Sequence, residues 1–330
     1  MKEHHEDRLI EWLRESLRKR GNFLIGDDAA LTSGTGRWVT TVDQQILNTH
    51  FIDSMSPQLV AQRLLAVSLS DLAAMGARGR YGFLALSCPP EYEVRRFFRG
   101  LLQSCDEFNI SLAGGDISRS STVTAALTLV GELPSKRKAL LRSRARAGDS
   151  VWIGGTVGES ALGRFLVRCG ARLQGRSVKF PAKLELPPRL AASARRAVRR
   201  HLKPRAQLEL GRWLVMQKRA AAIDVSDGLS LDLARLCRES KLGAEIDAAK
   251  LPLARHSKAL ADLLGKSDLD LALSGGEDYV LLFALPSKVS PPVHFQCVRI
   301  GEFTRAPQIL LRDRSGRRPL AAQGWDQFAR

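Results

Sequence analysis

The alternation of apolar and polar positions predicts two mixed halves in which helices and strands interleave. Residues 6–20 place Leu9, Ile10, Trp12, Leu13 and Leu17 at helical spacing, and Gly21 ends that pattern. Strands are predicted over 37–42, 80–87 and 122–131, the last from its β-branched and apolar run, and helices over 57–72 and 91–108. A turn near 145–149 precedes a fresh strand, SVWIGG, from Ser150. The second half reads as helix 159–170, a basic helical region 187–219, strand 221–225, helix 230–240, and strands near 244–247, 279–285 and 296–300. The pattern therefore predicts an α/β (α+β) fold in two domains, 1–145 and 146–330.

Charge changes this picture only locally. The 330 residues carry 51 Lys+Arg and 34 Asp+Glu, a formal +17. From Arg164 to Arg219 there are 16 basic residues and two acids, Glu185 and Glu209, and six more basic residues lie between Lys136 and Arg146. The rest of the chain is slightly acidic. Arg164, Arg168 and Arg172 recur opposite Leu162, Phe165 and Leu166, and Arg195, Arg196, Arg199 and Arg200 lie beside Leu190, Ala197 and Val198. A solvated helix face accounts for such runs, and a polyanion-binding surface is the alternative. Phe165, Phe180 and Trp213 are few aromatics for stacking on bases, so nucleic acid is not expected.

The five cysteines, Cys88, Cys105, Cys169, Cys237 and Cys297, are scattered without a C-x-x-C pair, as reduced thiols in a cytoplasmic protein would be. The first twenty residues are charged throughout, unlike a signal peptide, and no run approaches the ~18 apolar residues of a membrane span.

The candidate chemistry lies in six short acidic motifs: Gly26-Asp27-Asp28, Thr41-Val42-Asp43, Ser68-Leu69-Ser70-Asp71, Gly114-Gly115-Asp116, Asp224-Val225-Ser226-Asp227-Gly228 and Gly275-Gly276-Glu277-Asp278. Several follow apolar runs that read as buried strands (LIGDD, ISLAGGD, AAAIDVSDG), where an unpaired carboxylate is costly to bury. One such motif is readily a turn or a helix cap, and Asp71 or Asp227 could serve so. Six together, two of them with paired glycines before the acid, fit a magnesium–nucleotide site better: glycines admit close backbone approach to phosphate, and carboxylates are hard ligands. Standard nucleotide and hydrolase signatures are missing. Gly170–Ser177 has Arg176 where a Walker lysine is required and follows a helical pattern, and no G-x-G-x-x-G, H-R-D, D-F-G, G-x-S-x-G or H-E-x-x-H occurs. His50 alone among the six histidines falls near the acidic motifs.

In order, IGDDAAL (25–31), TTVDQQILNTHF (40–51), LAVSLSDLAAMGA (65–77), AGGDISRS (113–120), IDVSDGLSLDL (223–233) and LSGGEDYVLLF (273–283) resemble the thiamine-monophosphate kinase family. The resemblance runs from about residue 20 to the closing GWDQF (324–328). That family belongs to the aminoimidazole-ribonucleotide synthetase superfamily of ATP-dependent enzymes. The resemblance implies an N-terminal α/β domain whose sheet pairs with its twin in a homodimer, an α+β C-terminal domain, and ATP in the cleft between domains. It implies magnesium ions held by Asp28, Asp43, Asp71, Asp116 and Asp224 with Thr41 and Asp227, and ATP contacted by Gly115, Asp116, Arg142 and Ser226. His50, Glu277 and Trp325 would face thiamine monophosphate; an aromatic ring and a carboxylate suit its cationic thiazolium.

The implied reaction needs no protein nucleophile or covalent intermediate. The attacking group is the substrate's own phosphate, whose second pKa of about 6 leaves it largely ionised, so direct in-line transfer is expected. The sequence departs from the family pattern at Val42, at Asn48-Thr49 before His50, and at Ser68, without removing a carboxylate. The alternatives are another ATP-dependent synthetase of the superfamily and a polyanion-binding protein using 164–219.

Overall fold

The structure, a computed structural model, describes residues 12–13, 15–21, 38–175 and 177–325. It divides the chain into two compact units. The first comprises residues 1–72 and 77–136, and the second comprises residues 73–76 and 137–330. The chain passes finally into the second unit after Lys136, ahead of the 145/146 division expected from the sequence.

The first unit is built on a four-stranded sheet of β1 (Trp38–Ile46), β2 (Arg78–Cys88), β3 (Ser111–Arg119) and β4 (Thr124–Glu132), in the order β1-β4-β2-β3. Only β2 and β3 run parallel. Along β4 every second residue is buried, the signature of a sheet with one covered face. Leu127 and Leu129 belong to the covered face. Helices α1 (Pro57–Met75) and α2 (Val94–Phe108) add Leu64, Leu65, Leu69, Phe97, Phe98 and Leu101 to the core. The two helices pack closely at Gly100, where a Cβ would overlap the Gln58 carbonyl.

On the other face, Trp38, Thr40, Val42 and Gln44 of β1 stand beside Val130, Thr128 and Ala126 of β4. Tyr81 and Phe83 of β2 continue the row. Trp38 and Tyr81 rings lie 6.3 Å apart, and Val42 is 58% exposed.

The second unit carries a seven-stranded sheet with β5 (Asp149–Ile153) near its middle. Its other strands are β8 (Ala221–Asp224), β9 (Gly243–Asp247), β10 (Leu281–Pro286), β11 (Val298–Thr304), β12 (Ile309–Asp313) and β13 (Gly316–Pro319); the order is β13-β12-β9-β11-β5-β10-β8. A separate hairpin pairs β6 (Arg172–Gln174) with β7 (Ser177–Lys179). Six helices accompany these strands: α3 (Glu159–Arg168), α4 (Pro188–Leu202), α5 (Leu208–Met216), α6 (Leu229–Ser240), α7 (Ser257–Leu263) and α8 (Asp268–Ser274). Val151, Ile153, Ile223, Leu229, Leu233, Leu282 and Phe303 form the centre of its core.

The basic region 187–219 is two helices, interrupted where Pro204 lacks the N–H a continuous helix would use. Arg172 falls in β6 and not on the helix face that its spacing suggested. The strand expected from 279 starts at Leu281, because Glu277 and Tyr279 take left-handed backbone angles. Among the described residues, no helix is long and apolar enough to cross a membrane.

Candidate active site

In the first unit two of the acidic motifs, Thr41-Val42-Asp43 and Ser68-Leu69-Ser70-Asp71, meet where β1 lies beside α1, whereas Asp116 lies on β3 at the other edge of the sheet. Alternation along β1 turns Thr41, Asp43 and Gln45 to the face opposite Val42, toward the helix. Thr41 Oγ1 donates to Asp71 Oδ2 at 2.5 Å. Asp43 lies beside them. Burial, with the charge of Asp71 next, pushes its carboxyl up to about 7, and a hydrogen bond with Ser68 opposes the rise. Asp43 Oδ2 is buried and has no hydrogen-bond partner among the described residues. Two carboxylates and a hydroxyl are hard oxygen donors facing one another at a strand–helix junction. Among the described residues, no three His, Cys, Asp or Glu side chains gather closely enough to hold an ion on their own.

Asp28 lies outside the described residues. Asp116, on β3, is exposed and accepts a 2.7 Å hydrogen bond from Ser118 Oγ. Before it, Gly115 has φ +152°, and a Cβ there would overlap the Leu84 carbonyl of the paired strand. His50 ends a tight turn: its Nδ1 accepts from the Ile46 N–H at 3.1 Å, which places the ring proton on Nε2 when the imidazole is neutral.

In the second unit three separate motifs come together. Asp224 is buried at the end of β8, leading into the turn 225–228. Onto that turn docks the 275–279 loop: Glu277 N donates to the Ser226 carbonyl at 2.6 Å, and Tyr279 N to the Val225 carbonyl at 2.8 Å. From the other side Trp325 N donates to the Asp227 carbonyl at 2.9 Å, while Ser230 Oγ donates to the Gln323 carbonyl at 2.6 Å. Ser226, Asp227, Glu277 and Trp325, up to a hundred positions apart, thus share one small region of the structure.

Residues not singled out from the sequence hold this region. Arg235 Nη1 pairs with Asp227 Oδ2 at 2.6 Å and Asp232 Oδ1 at 2.8 Å. Asp232 Oδ2 accepts from the N–H groups of Asp227 and Gly228, closing the turn. Burial, reinforced by the neighbouring Asp227 charge, raises the Asp232 carboxyl to about 6 against the pull of Arg235 and both amides. The Glu277 carboxylate lies 3.5 Å from Arg164 and 3.3 Å from His201. Asp278 is fully buried and accepts from the N–H groups of Gly158 and Ser160, where α3 begins. Burial raises its carboxyl to about 6, opposed by those amides and by Arg200. Arg142 has an exposed side chain, and its carbonyl accepts from Ser240 Oγ at 2.6 Å. The only sequence signal for Asp232 was the LSLDL run itself, and nothing local distinguished Arg164, His201 or Arg235 from neighbouring basic residues.

Residues 26–133 match the family described as AIR synthase related protein, N-terminal domain. The thiamine-monophosphate kinase of Aquifex aeolicus (strain VF5) is 32% identical over 333 residues, covering 99% of this chain and 99% of that protein. That of Escherichia coli (strain K12) is 36% identical over 270 residues, 79% of this chain and 76% of that one. Among solved structures, AaThiL complexed with AMPPCP and TMP superposes with a TM-score of 0.77 at 29% identity, covering 99% of this chain and 98% of that chain. The thiamine-monophosphate kinase from Stenotrophomonas maltophilia K279a gives 0.76 at 32% identity, over 92% and 95%. The hydrogenase maturation protein HypE in complex with ATP gives 0.73 at 18% identity, a likeness of fold alone.

Proposed function

The chain belongs to the thiamine-monophosphate kinase family, and from that premise we propose that Thr41, Asp43 and Asp71 form a magnesium-binding corner serving direct, in-line phosphoryl transfer. The reaction is the ATP-dependent phosphorylation of thiamine monophosphate to the diphosphate.

The observation that carries the magnesium assignment is Asp43: a buried carboxylate with an unpartnered oxygen, raised by burial and by a second carboxylate. Such a pair is unfavourable until a cation offsets it, and the donor set is of the hard-oxygen kind that magnesium takes. Bound there, the ion would supply positive charge against phosphoryl oxygens. The Thr41 hydroxyl fixes one Asp71 oxygen, and Ser68 steadies Asp43. Asp116, Asp224 and Asp227 stay in the proposed donor set with Asp28. Gly115, Asp116, Arg142 and Ser226 are assigned to ATP, and His50, Glu277 and Trp325 to thiamine monophosphate.

The protein's share of the chemistry is alignment and charge. An ionised phosphate monoester attacks without a general base, so no side chain has to take a proton first.

We further propose a homodimer through the open face of the first unit's sheet. Trp38, Val42, Tyr81 and Phe83 make an apolar row there, and Val42 is too exposed for a residue meant to face water alone. A cytoplasmic location is retained from the scattered, unpaired cysteines.

The test is purified protein with ATP, magnesium and thiamine monophosphate, following thiamine diphosphate by chromatography. Asp71→Asn should lower turnover roughly hundredfold or more, the scale of removing one electrostatic group from a transfer site. A folded Asp71→Asn protein with near-normal turnover would overturn the metal assignment.

A further inference from the structure

The loop that carries Glu277 is strained. Glu277 has φ +60° and Tyr279 φ +49°, with Gly276 at +68° before them. Left-handed backbone angles are unfavourable for L-residues, so the loop persists only if its surroundings over-determine it. Two main-chain bonds to the 225–226 carbonyls do part of this. The rest comes from the basic helices α3 and α4.

Arg200 donates through Nη2 to the Asp278 carbonyl at 2.6 Å. Arg164 Nη1 and His201 Nδ1 approach the same oxygen of Glu277, Oε2, at 3.5 and 3.3 Å. They reach it together because α3 and α4 pack closely at Gly163, where a Cβ would overlap the Ala197 carbonyl and meet His201 Cβ at 2.9 Å. The basic block therefore has two sides. Arg168, Arg195 and Arg199 are exposed, while Arg164, Arg200 and His201 turn inward onto one acidic loop.

We propose that Arg164, Arg200 and His201 are positioning residues that hold the Glu277 carboxylate in the geometry that receives the cationic half of the substrate. The proposal rests on the reading that Glu277 faces thiamine monophosphate. The pairing sets where Glu277 stands before substrate arrives, so the cost of ordering a long acidic side chain is met in advance by the fold. It also gives the inward part of the block a use that needs no polyanion.

The experiment compares wild type, Arg164→Met, His201→Phe and the outward control Arg195→Ala, with Arg164→Lys and His201→Gln as milder partners should either first variant fail to fold. Steady-state kinetics are run separately in thiamine monophosphate and in ATP. Hydrogen exchange of the peptide spanning 273–281 is followed by mass spectrometry. The expected result is a KM for thiamine monophosphate raised about tenfold, with kcat and the KM for ATP within about twofold. Arg164→Lys should recover part of the loss, and Arg195→Ala should match wild type. Exchange at 273–281 should quicken in the inward variants alone.

A merely structural role would lower thermal stability and active fraction while leaving the KM values unchanged, and that result overturns the proposal. If wild type does not phosphorylate thiamine monophosphate, the reading of Glu277 fails separately. The exchange measurement then decides: faster exchange upholds the clamp on the loop, and unchanged exchange removes it.

Discussion

The Gly158 N–H donates to the Asp278 carboxylate at 2.7 Å, joining residues 120 positions apart and seating a buried acid on the start of α3. The helix end offers unpaired N–H groups that favour negative charge, and burial disfavours it; burial wins, since the carboxyl is raised from 3.8 to about 6. Because the folded state holds this proton more tightly than the unfolded chain, its contribution to stability is fully present below the unfolded pKa and is lost as pH rises through about 6. Asp278→Asn should flatten that part of the profile, read from urea midpoints at about pH 4 and about pH 7. Asp278→Ala should cost about 2 kcal/mol, since two buried N–H groups lose their acceptor. A wild-type profile in which this contribution rises with pH would contradict the assignment.

Asp43→Asn should separate stability from activity. Removing one of two facing carboxylates relieves repulsion, so the metal-free protein should gain about 1 kcal/mol. Turnover should nevertheless fall roughly hundredfold or more. Calorimetry in chelator, beside turnover in magnesium, checks both halves, and a less stable metal-free variant would count against the pairing with Asp71.

Arg235 offsets two acids, one almost wholly buried. Arg235→Met should cost about 2 kcal/mol, less than for a fully buried pair because Arg235 is 30% exposed. Asp232→Asn in that background should restore part of the loss, since the uncompensated charge is gone while an oxygen remains for the 227–228 amides. A double-mutant cycle by chemical denaturation measures the coupling, and additive effects would dismiss the triad.

Val42→Lys should dissociate the proposed dimer while leaving the subunit folded, because a cation replaces an exposed apolar residue of the open face. Sedimentation velocity at micromolar concentration reads the change. A wild-type monomer, or a variant that remains dimeric, removes that interface.

Much of the architecture was legible because its patterns are long. α1 and the alternating β4 bury a regular set of positions over whole elements, which single-sequence periodicity detects. α7 and α8 are hard to read because seven residues each complete barely two turns, β12 because five residues with an Ile-Leu-Leu run show no alternation, and β13 because it is a short exposed edge carrying two arginines. In the site, acids beside glycines were legible because buried charge and close backbone approach leave compositional traces. The partners of Glu277 and Asp278 were not. Arg164, Arg200 and His201 look like any residues of a charged helix until packing turns them inward.

The docking of Gln323–Trp325 on Asp227 of the turn 225–228 and on Ser230 of α6 makes the protein its own optical instrument. Of five tryptophans, Trp152 is stacked on Phe283, whereas Trp325 is 44% exposed beside the turn that carries Ser226 and Asp227. Emission from wild type minus Trp325→Phe isolates one indole, and nucleotide or thiamine phosphate arriving at the proposed site would be readable as light, without label or coupled assay.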